Sequence, residues 1–536
     1  MTNRPRRSLD GLLLASGATG AIALLLAATG QYLVAAGARP STAALAYAAA
    51  LASFLVAYLM GRLRVALGAA GQSVVISPLR LVTALAAGTA HAAALALIAT
   101  GGSLLGLVAG LWLVSLGLAV VAVMPARWPE SVRRVIRRAR LALACRRAEV
   151  AAVGAVVAVG GLVRLIALEH YPTGVHGDEA EFGLIALSIL RGSGPHPFGT
   201  AFLGDPALFV YVEAPFVAVL GQTMTAVRAL AAISGTLTLV SLYALVRVLF
   251  GPRPAILAAA FLAGAAVHVH FSRVGLNVAQ VPLFATLSLL LLWRGHRTGR
   301  AAWWLLAGIA AGLGVYFHFA ARLLPVVIAL FMGYLLVGAP RRWRAWGAHV
   351  LLLSLGAAMA LSPLVVHLAA QPHQLTEHTD QRLIFRHWDR MVEQHRSADP
   401  IAIAWGQVAL NLMAFVGQAD ASQFFTFTGA PLLNGLTAPL AALGTALVMV
   451  RLREPRCALV FFWFWVFVLV GGALTIDSPQ FHRLLPAVPA AVIGAALVLD
   501  WFADTWSRLV AGVARPLIAT AVALVPVSAG IWDAKA

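Results

Sequence analysis

The sequence predicts an all-α polytopic membrane protein, and three observations carry that prediction. Of 536 residues, 61% are hydrophobic and only 11% charged, with a mean hydropathy of +0.87; a soluble fold cannot bury so much apolar surface. Apolar segments of about 20 residues recur along the chain, each long enough as a helix to cross a bilayer. These runs are continuous, whereas a membrane barrel would show short alternating segments.

Taken in order, the N-terminus MTNRPRRSLDGLLLASG has a basic start followed by an apolar run, the pattern of a signal sequence. The run is long and more spans follow, so it is expected to remain as a first helix. Spans are predicted near 11–37, 42–62, 81–100 and 103–124, forming an N-terminal four-span module over 1–126. The stretch RWPESVRRVIRRARLALACRRAE, 127–149, is the densest basic segment and reads as a cytoplasmic linker. The N-terminal RPRR is assigned to the same side, and four spans between the two satisfy both assignments.

A second membrane domain, 150–536, opens with an outward span at 150–168. Further spans are predicted near 226–249, 255–271, 277–293, 302–318, 323–337, 346–369, 431–450, 457–475, 482–500 and 510–531. The basic turns at 247–254, 293–300, 339–347 and 450–456 then fall inside. The expected location is the cell membrane, with a cytoplasmic N-terminus. Long extracytoplasmic loops at 169–225 and 370–430 are where function is expected.

Several function classes are excluded at this stage. The net charge of +19 is carried mostly by arginines in short loops between spans, so membrane lipid rather than nucleic acid is the expected partner. Cys145 and Cys457 are the two cysteines, too few for a disulfide framework. Lys535 is the sole lysine, which excludes a phosphate-cradling GxxxxGK[ST] loop and a Schiff-base lysine within the chain.

The stretch HYPTGVHGDEAEFGLIALSILRG, 170–192, gathers Asp178, Glu179 and Glu181 in an otherwise apolar chain. Asp178 and Glu181 have the spacing of a capping box, and the apolar positions that follow predict a short helix over 179–191. Two readings stay open: a cap on a helix at the membrane surface, or a site for chemistry. Downstream, GDPALFVYVEAPFVAVLG, 204–221, places Asp205 and Glu213 in a second short apolar segment. The two together predict an acid-bearing platform at the outer face.

A span ending VRLIALEHYPTG, then GDEAEFGLIALSILRG, DPALFVYVEAPFVAVLG and AVRALAAISGTLTLVSLYALVRVLFG resembles the GT-C superfamily of membrane glycosyltransferases. The likeness is to the protein mannosyltransferase and aminoarabinose transferase branch, glycosyltransferase family 39 (RgtA/B/C/D-like). HFSRVGLN (270–277), FAARLLPVVIALF (319–331) and DSPQFHRLLPAVPAAVIGAA (477–496) are similar to later segments of that family. The resemblance covers about 150–500 and leaves the first four spans outside. It implies a GT-C-type helix bundle with extracytoplasmic juxtamembrane helices, a polyprenyl-phosphate-linked sugar donor, and inverting transfer at the outer face. It also implies a first-loop aspartate as general base, here Asp178, with Glu179 as its neighbour. Where the family usually has a His-Pro or Lys-Pro pair this chain has Asp205-Pro206, which leaves the role of Asp205 open.

Transfer from a phosphate needs a base at the acceptor hydroxyl and cations where the departing phosphate gains charge. With lysine absent, arginine must supply them; the outer-face candidates are Arg164, Arg228, Arg273, Arg322 and Arg483, each of which could instead snorkel to lipid headgroups. Histidine also concentrates outside, with His176, His270 and His318 as site candidates. No cofactor is expected. A divalent metal on pairs such as His176–Asp178 is left open, because no tight Cys/His array supports it. The acceptor could be a glycan, a lipid or a protein. A secondary transporter or lipid flippase is the competing reading, although carriers place their ionisable groups on broken helices near the midplane. A non-catalytic assembly partner is a third.

Overall fold

The computed structural model describes residues 78–99, 105–124, 146–339, 343–371, 374, 381–420, 422, 425, 429–509, 524–528 and 530. The expected spans at 11–37 and 42–62, most of the basic stretch 127–149 and most of the span at 510–531 lie outside them. Among the described residues eight helices are long and apolar enough to cross a membrane. Among the described residues the only β pairing is two isolated bridges, Thr200–Pro206 and Leu383–Thr475. The protein is an all-α, multi-pass membrane protein.

By compactness the chain divides into residues 1–137 with 358–372, and residues 138–357 with 373–536. Segment 358–372, expected in the second domain, therefore groups with the first. Two helices of the first unit are described, α1 (Pro78–Ala99) and α2 (Leu105–Val123). The grouping has a polar cause. His91 of α1 bonds Ser115 of α2 through Nδ1 at 2.9 Å and Ser362 through Nε2 at 2.8 Å. Trp112 of α2 donates to the Met359 carbonyl at 3.0 Å. Polar groups in an apolar medium must be satisfied by neighbours, and these bonds tie the three segments together.

The second unit opens with α3 (Arg147–Leu165), followed by two short helices, α4 (Gly177–Leu190) and α5 (Leu208–Leu220), and the long α6 (Met224–Leu249). α3 starts at Arg147, inside the expected linker. Glu149 in its first turn is bonded by Tyr243 and Arg247 near the end of α6, so the two helices run antiparallel. Near the other end of α3, Gly160 and Gly161 let α6 approach: a Cβ on Gly160 would meet Leu239 Cδ1 at 2.5 Å.

The expected span at 255–271 is broken. α7 (Pro252–Gly264) and α8 (Ala266–Phe271) are separated by Ala265 in an extended conformation. The chain continues through a 3₁₀ turn at Asn277–Gln280 into α9 (Val281–Thr298), then α10 (Ala301–Gly314), α11 (Leu324–Gly338) and α12 (Trp343–Ala370), which runs through the division at 358. The 370–430 loop carries two helices, α13 (Trp388–His395) and α14 (Pro400–Met413), with a small core of Ile384, Met391, Ile403 and Ile476. α15 (Thr437–Val450), α16 (Pro455–Val466) with a π-helical extension to Ala473, α17 (Phe481–Leu484) and α18 (Val488–Leu509) complete the unit.

Candidate functional site

The site begins at the N-terminus of α4. His176 is the cap: its Nδ1 accepts the Asp178 N–H at 3.1 Å, while Glu179 Oε2 accepts the His176 N–H at 3.2 Å. The expected Asp178–Glu181 box and helix start at 179 are thus corrected to a His176–Glu179 box and a start at Gly177. The frame is set by burial: Glu179, Phe182 and Ala186 face inward. Asp178 is left on the open side with its side chain 37% exposed. Its carboxylate makes no hydrogen bond to a described residue, and His176 Nδ1, already an acceptor, lies 3.8 Å from Oδ2. Glu181 is half-buried.

Glu179, expected as the catalytic neighbour of Asp178, is instead fully buried. Its Oε1 accepts Arg228 Nε at 2.6 Å and the Gly275 N–H at 2.8 Å; its Oε2 accepts Arg228 Nη2 at 3.1 Å. Arg228 completes its set by donating to the carbonyls of Leu168 (2.8 Å), Pro172 (3.0 Å) and Gly174 (3.0 Å). A guanidinium has five N–H groups, and all five are occupied. The expectation that Arg228 holds a donor phosphate is therefore corrected: the pair fastens the 168–179 loop to α6.

Arg164 and Arg273 are corrected for a related reason. Arg164, fully buried, donates to the carbonyls of Gly160, Ala263 and Leu262 and to His268 Nδ1 at 2.8–3.1 Å. Leu262 and Ala263 lie where α7 breaks, so this arginine takes up carbonyls that the interruption frees. Arg273 donates to Val163, Ile166 (2.8 Å), Ala167 (3.4 Å) and Tyr171 (3.1 Å), capping the end of α3. All three arginines satisfy backbone where the chain leaves a helix.

Arg322 and Arg483 differ. Arg322 is half-buried, with its guanidinium 4.5 Å over the Phe319 ring and no hydrogen bond to a described residue. Arg483 gives one bond, from Nη1 to the Ile476 carbonyl at 2.9 Å. Both have N–H groups with no acceptor among the described residues.

Asp205 joins Asp178 and Arg322 in one place. A tight loop, closed by the Thr200–Pro206 bridge and with Leu203 and Gly204 at positive φ, presents it. Burial raises its pKa to about 7; Asn277 and Arg322 oppose the rise, and the charge of Asp178 adds to it. Asp205 Oδ1 and Asn277 Nδ2 are both buried, and a hydrogen bond from the Asn277 side chain to the Asp205 carboxyl is what opposes the rise most. Glu213 on α5 is fully buried with neither carboxyl oxygen bonded. Desolvation, then the charge of Glu179, pushes its pKa well up.

Aromatic and imidazole rings close the site. Phe425 stacks on His176 (centroids 5.5 Å) and on Phe271 (6.1 Å) and packs on His482 at 4.4 Å; His482 meets His318 at 6.4 Å. His318 Nδ1 accepts the Ala320 N–H at 3.1 Å, orienting the turn that carries Arg322. His270 lies edge-on to Phe271 at 5.4 Å. Asp420 accepts the N–H groups of Ser422 (2.7 Å) and Phe481, tying the second loop to the start of α17. Sequence reasoning missed Asn277, Asp420 and Phe425. The interleaved His and acid content of the second loop was a signal for the loop, not for these positions. Among the described residues no three His, Cys, Asp or Glu side chains converge as a metal site.

Residues 205–368, which hold Asp205, Asn277 and Arg322, match the family described as dolichyl-phosphate-mannose-protein mannosyltransferase. An undecaprenyl phosphate-alpha-4-amino-4-deoxy-L-arabinose arabinosyl transferase of Pseudomonas aeruginosa (strain UCBPP-PA14) is 30% identical over 215 residues, 38% of this chain and 37% of its own length. One from Pseudomonas fluorescens (strain ATCC BAA-477) is 30% identical over 179 residues, 30% and 31% of the two chains. The alignments thus span well under half the length of these curated relatives. Among solved structures, ArnT from Cupriavidus metallidurans bound to undecaprenyl phosphate has a TM-score of 0.47 at 16% identity, covering 67% of this chain and 61% of that one. The Archaeoglobus fulgidus oligosaccharyltransferase in its apo form scores 0.46 at 16% identity, covering 71% and 55%. The chain is thus a multi-pass helical membrane protein whose residues 205–368 are similar to that mannosyltransferase family.

Proposed function

We propose that this protein is an integral membrane glycosyltransferase that moves a sugar from a polyprenyl-phosphate donor to an acceptor hydroxyl at the extracytoplasmic face, with inversion. Asp178 takes the acceptor proton as that oxygen attacks the anomeric carbon. The bond from that carbon to the phosphate oxygen breaks, and polyprenyl phosphate leaves carrying the charge. Arg322 and Arg483 meet that charge with N–H groups that have no acceptor among the described residues. The observation that carries the reading is the pairing of an accessible, unbonded carboxylate at Asp178 with a cation that acts on the same neighbour, Asp205. The names of the curated relatives support undecaprenyl phosphate as the lipid class of the donor.

The test is sugar transfer by the purified protein in detergent from a panel of undecaprenyl-phosphate sugars, wild type beside Asp178→Asn. A general base contributes about 10²- to 10⁴-fold, so the turnover number should fall by that factor while donor affinity is kept. Activity retained within a few-fold in the variant would remove Asp178 from the role.

A further inference from the structure

The geometry points to Phe425 as a positioning residue: its ring, wedged between the two long loops, holds the cap of α4 and with it the Asp178 carboxylate. The inference rests on the transferase reading and adds to it the residue that fixes the base. Phe425 stacks on His176 with centroids 5.5 Å and planes 30° apart, and on Phe271 at 6.1 Å and 22°. His482 packs on it at 4.4 Å. Rings from three separate segments thus meet one side chain. His176 is the residue whose Nδ1 accepts the Asp178 N–H at 3.1 Å, so the contact reaches the base through a single intervening side chain. The Asp178 carboxylate makes no hydrogen bond to a described residue, so the helix cap is what aims it.

Phe425 is itself held. Asp420, earlier in the same loop, accepts the N–H groups of Ser422 at 2.7 Å and of Phe481, which fastens this segment to the start of α17. That helix carries His482 and Arg483. Phe425 therefore belongs to the block that bears one of the proposed phosphate-binding arginines, while its ring reaches across to the cap of α4. In-line displacement needs acceptor oxygen, anomeric carbon and leaving phosphate at set separations, and a misplacement of about 1 Å costs on the order of 10²-fold in rate. Asp178 and Arg483 are far apart in sequence, so their separation is set by side chains that touch both segments, as Phe425 does. A ring that merely fills a core fits less well. Phe425 is only half-buried, and the small core of this loop is built from Ile384, Met391, Ile403 and Ile476 instead. Ring-on-ring contacts are directional, so the shape of Phe425 as well as its bulk orients His176.

The full chain in detergent tests this with the undecaprenyl-phosphate sugar it turns over fastest. Phe425→Ala should lower the turnover number about 10- to 100-fold, with donor KM within about twofold and the melting temperature within a few degrees of wild type. Phe425→Tyr, which keeps the ring, should stay within about threefold of wild type. Added to Asp178→Asn, Phe425→Ala should slow turnover by no more than about twofold further, because the group it positions is gone. A raised KM with an unchanged turnover number would overturn the proposal in favour of a ring that touches the donor. A melting temperature that falls with activity would overturn it in favour of a packing role, and an undiminished loss on top of Asp178→Asn in favour of action elsewhere. A second readout stands apart from catalysis. With Cys145 and Cys457 replaced, a spin label at Ala180→Cys, exposed in the first turn of α4, should become more mobile when Phe425→Ala is added. Unchanged mobility would overturn the hold on the cap, whether or not any donor is turned over. If mobility rises while Asp178→Asn keeps its activity, Phe425 holds the cap and the assignment of Asp178 as base fails.

Discussion

Arg228 and Arg322 lie in one site, yet their surroundings assign them opposite tasks. Arg228 is buried with five N–H groups on five protein acceptors, two of them Glu179 oxygens. Arg228→Met leaves the Glu179 carboxylate buried without its cation, which costs about 3–5 kcal/mol. The measurement is thermal unfolding in detergent, where Arg228→Met should melt far below wild type. Arg322→Met should melt within a few degrees of wild type and instead weaken binding of undecaprenyl phosphate about tenfold. If the two variants behave alike, the division between fastening and ligand-holding arginines is wrong. None of this was legible in the sequence, where both read as arginines at a span end. Which of them has free N–H groups depends on carbonyls such as Leu168 and Gly174, and backbone acceptors leave no trace in residue identity. The acidic run that holds Asp178 stood out in the sequence because such a run in an apolar chain is itself unusual.

Helices were legible where hydrophobic length alone decides. Most described spans overlap their expected positions, although the helix expected from 431 starts at Thr437 and the one expected to end at 500 runs to Leu509, because a continuous apolar run in a bilayer has few alternatives to a helix. The break at Ala265 was not visible, since AGAAVHVHF carries no proline and Arg164, which takes up the freed carbonyls, lies 101 positions away. The frame of α4 was misplaced by two residues for the same kind of reason: Glu179 turns inward to meet Arg228, so the cap falls on His176. Packing between α10 and the first half of α12 gives a test at this level. A Cβ on Gly308 would lie 1.9 Å from the Leu353 carbonyl oxygen, and one on Gly356 2.2 Å from that of Leu305. The two backbones touch, as small residues in membrane helices permit. Gly308→Val should force them apart and cost about 1–3 kcal/mol or more, read as a lowered melting temperature with unchanged donor affinity in the folded fraction. A melting temperature equal to wild type would mean the helices are not in contact there.

For the whole molecule, the expected topology sets every basic turn on one side and the site on the other. The turn Arg294–Arg300 and the loops bearing Asp178 and Glu393 are separated by an odd number of spans, so they must face opposite compartments if each predicted span crosses. The chain suits a direct test, because it has only Cys145 and Cys457 to remove. In that background, single cysteines at Ala180, Glu393 and Arg297, all exposed, can be challenged on intact cells with a membrane-impermeant maleimide. Ala180→Cys and Glu393→Cys should label from outside, and Arg297→Cys only after the membrane is opened. The reverse pattern would turn the protein over and place Asp178 in the cytoplasm, where a soluble nucleotide-sugar could reach it and the case for a lipid-borne donor would weaken. Labelling of Ala180→Cys without Glu393→Cys would instead separate the two long loops. That result would contradict the contacts of Phe425 with His176 and of Asp420 with Phe481, on which the closure of the site depends.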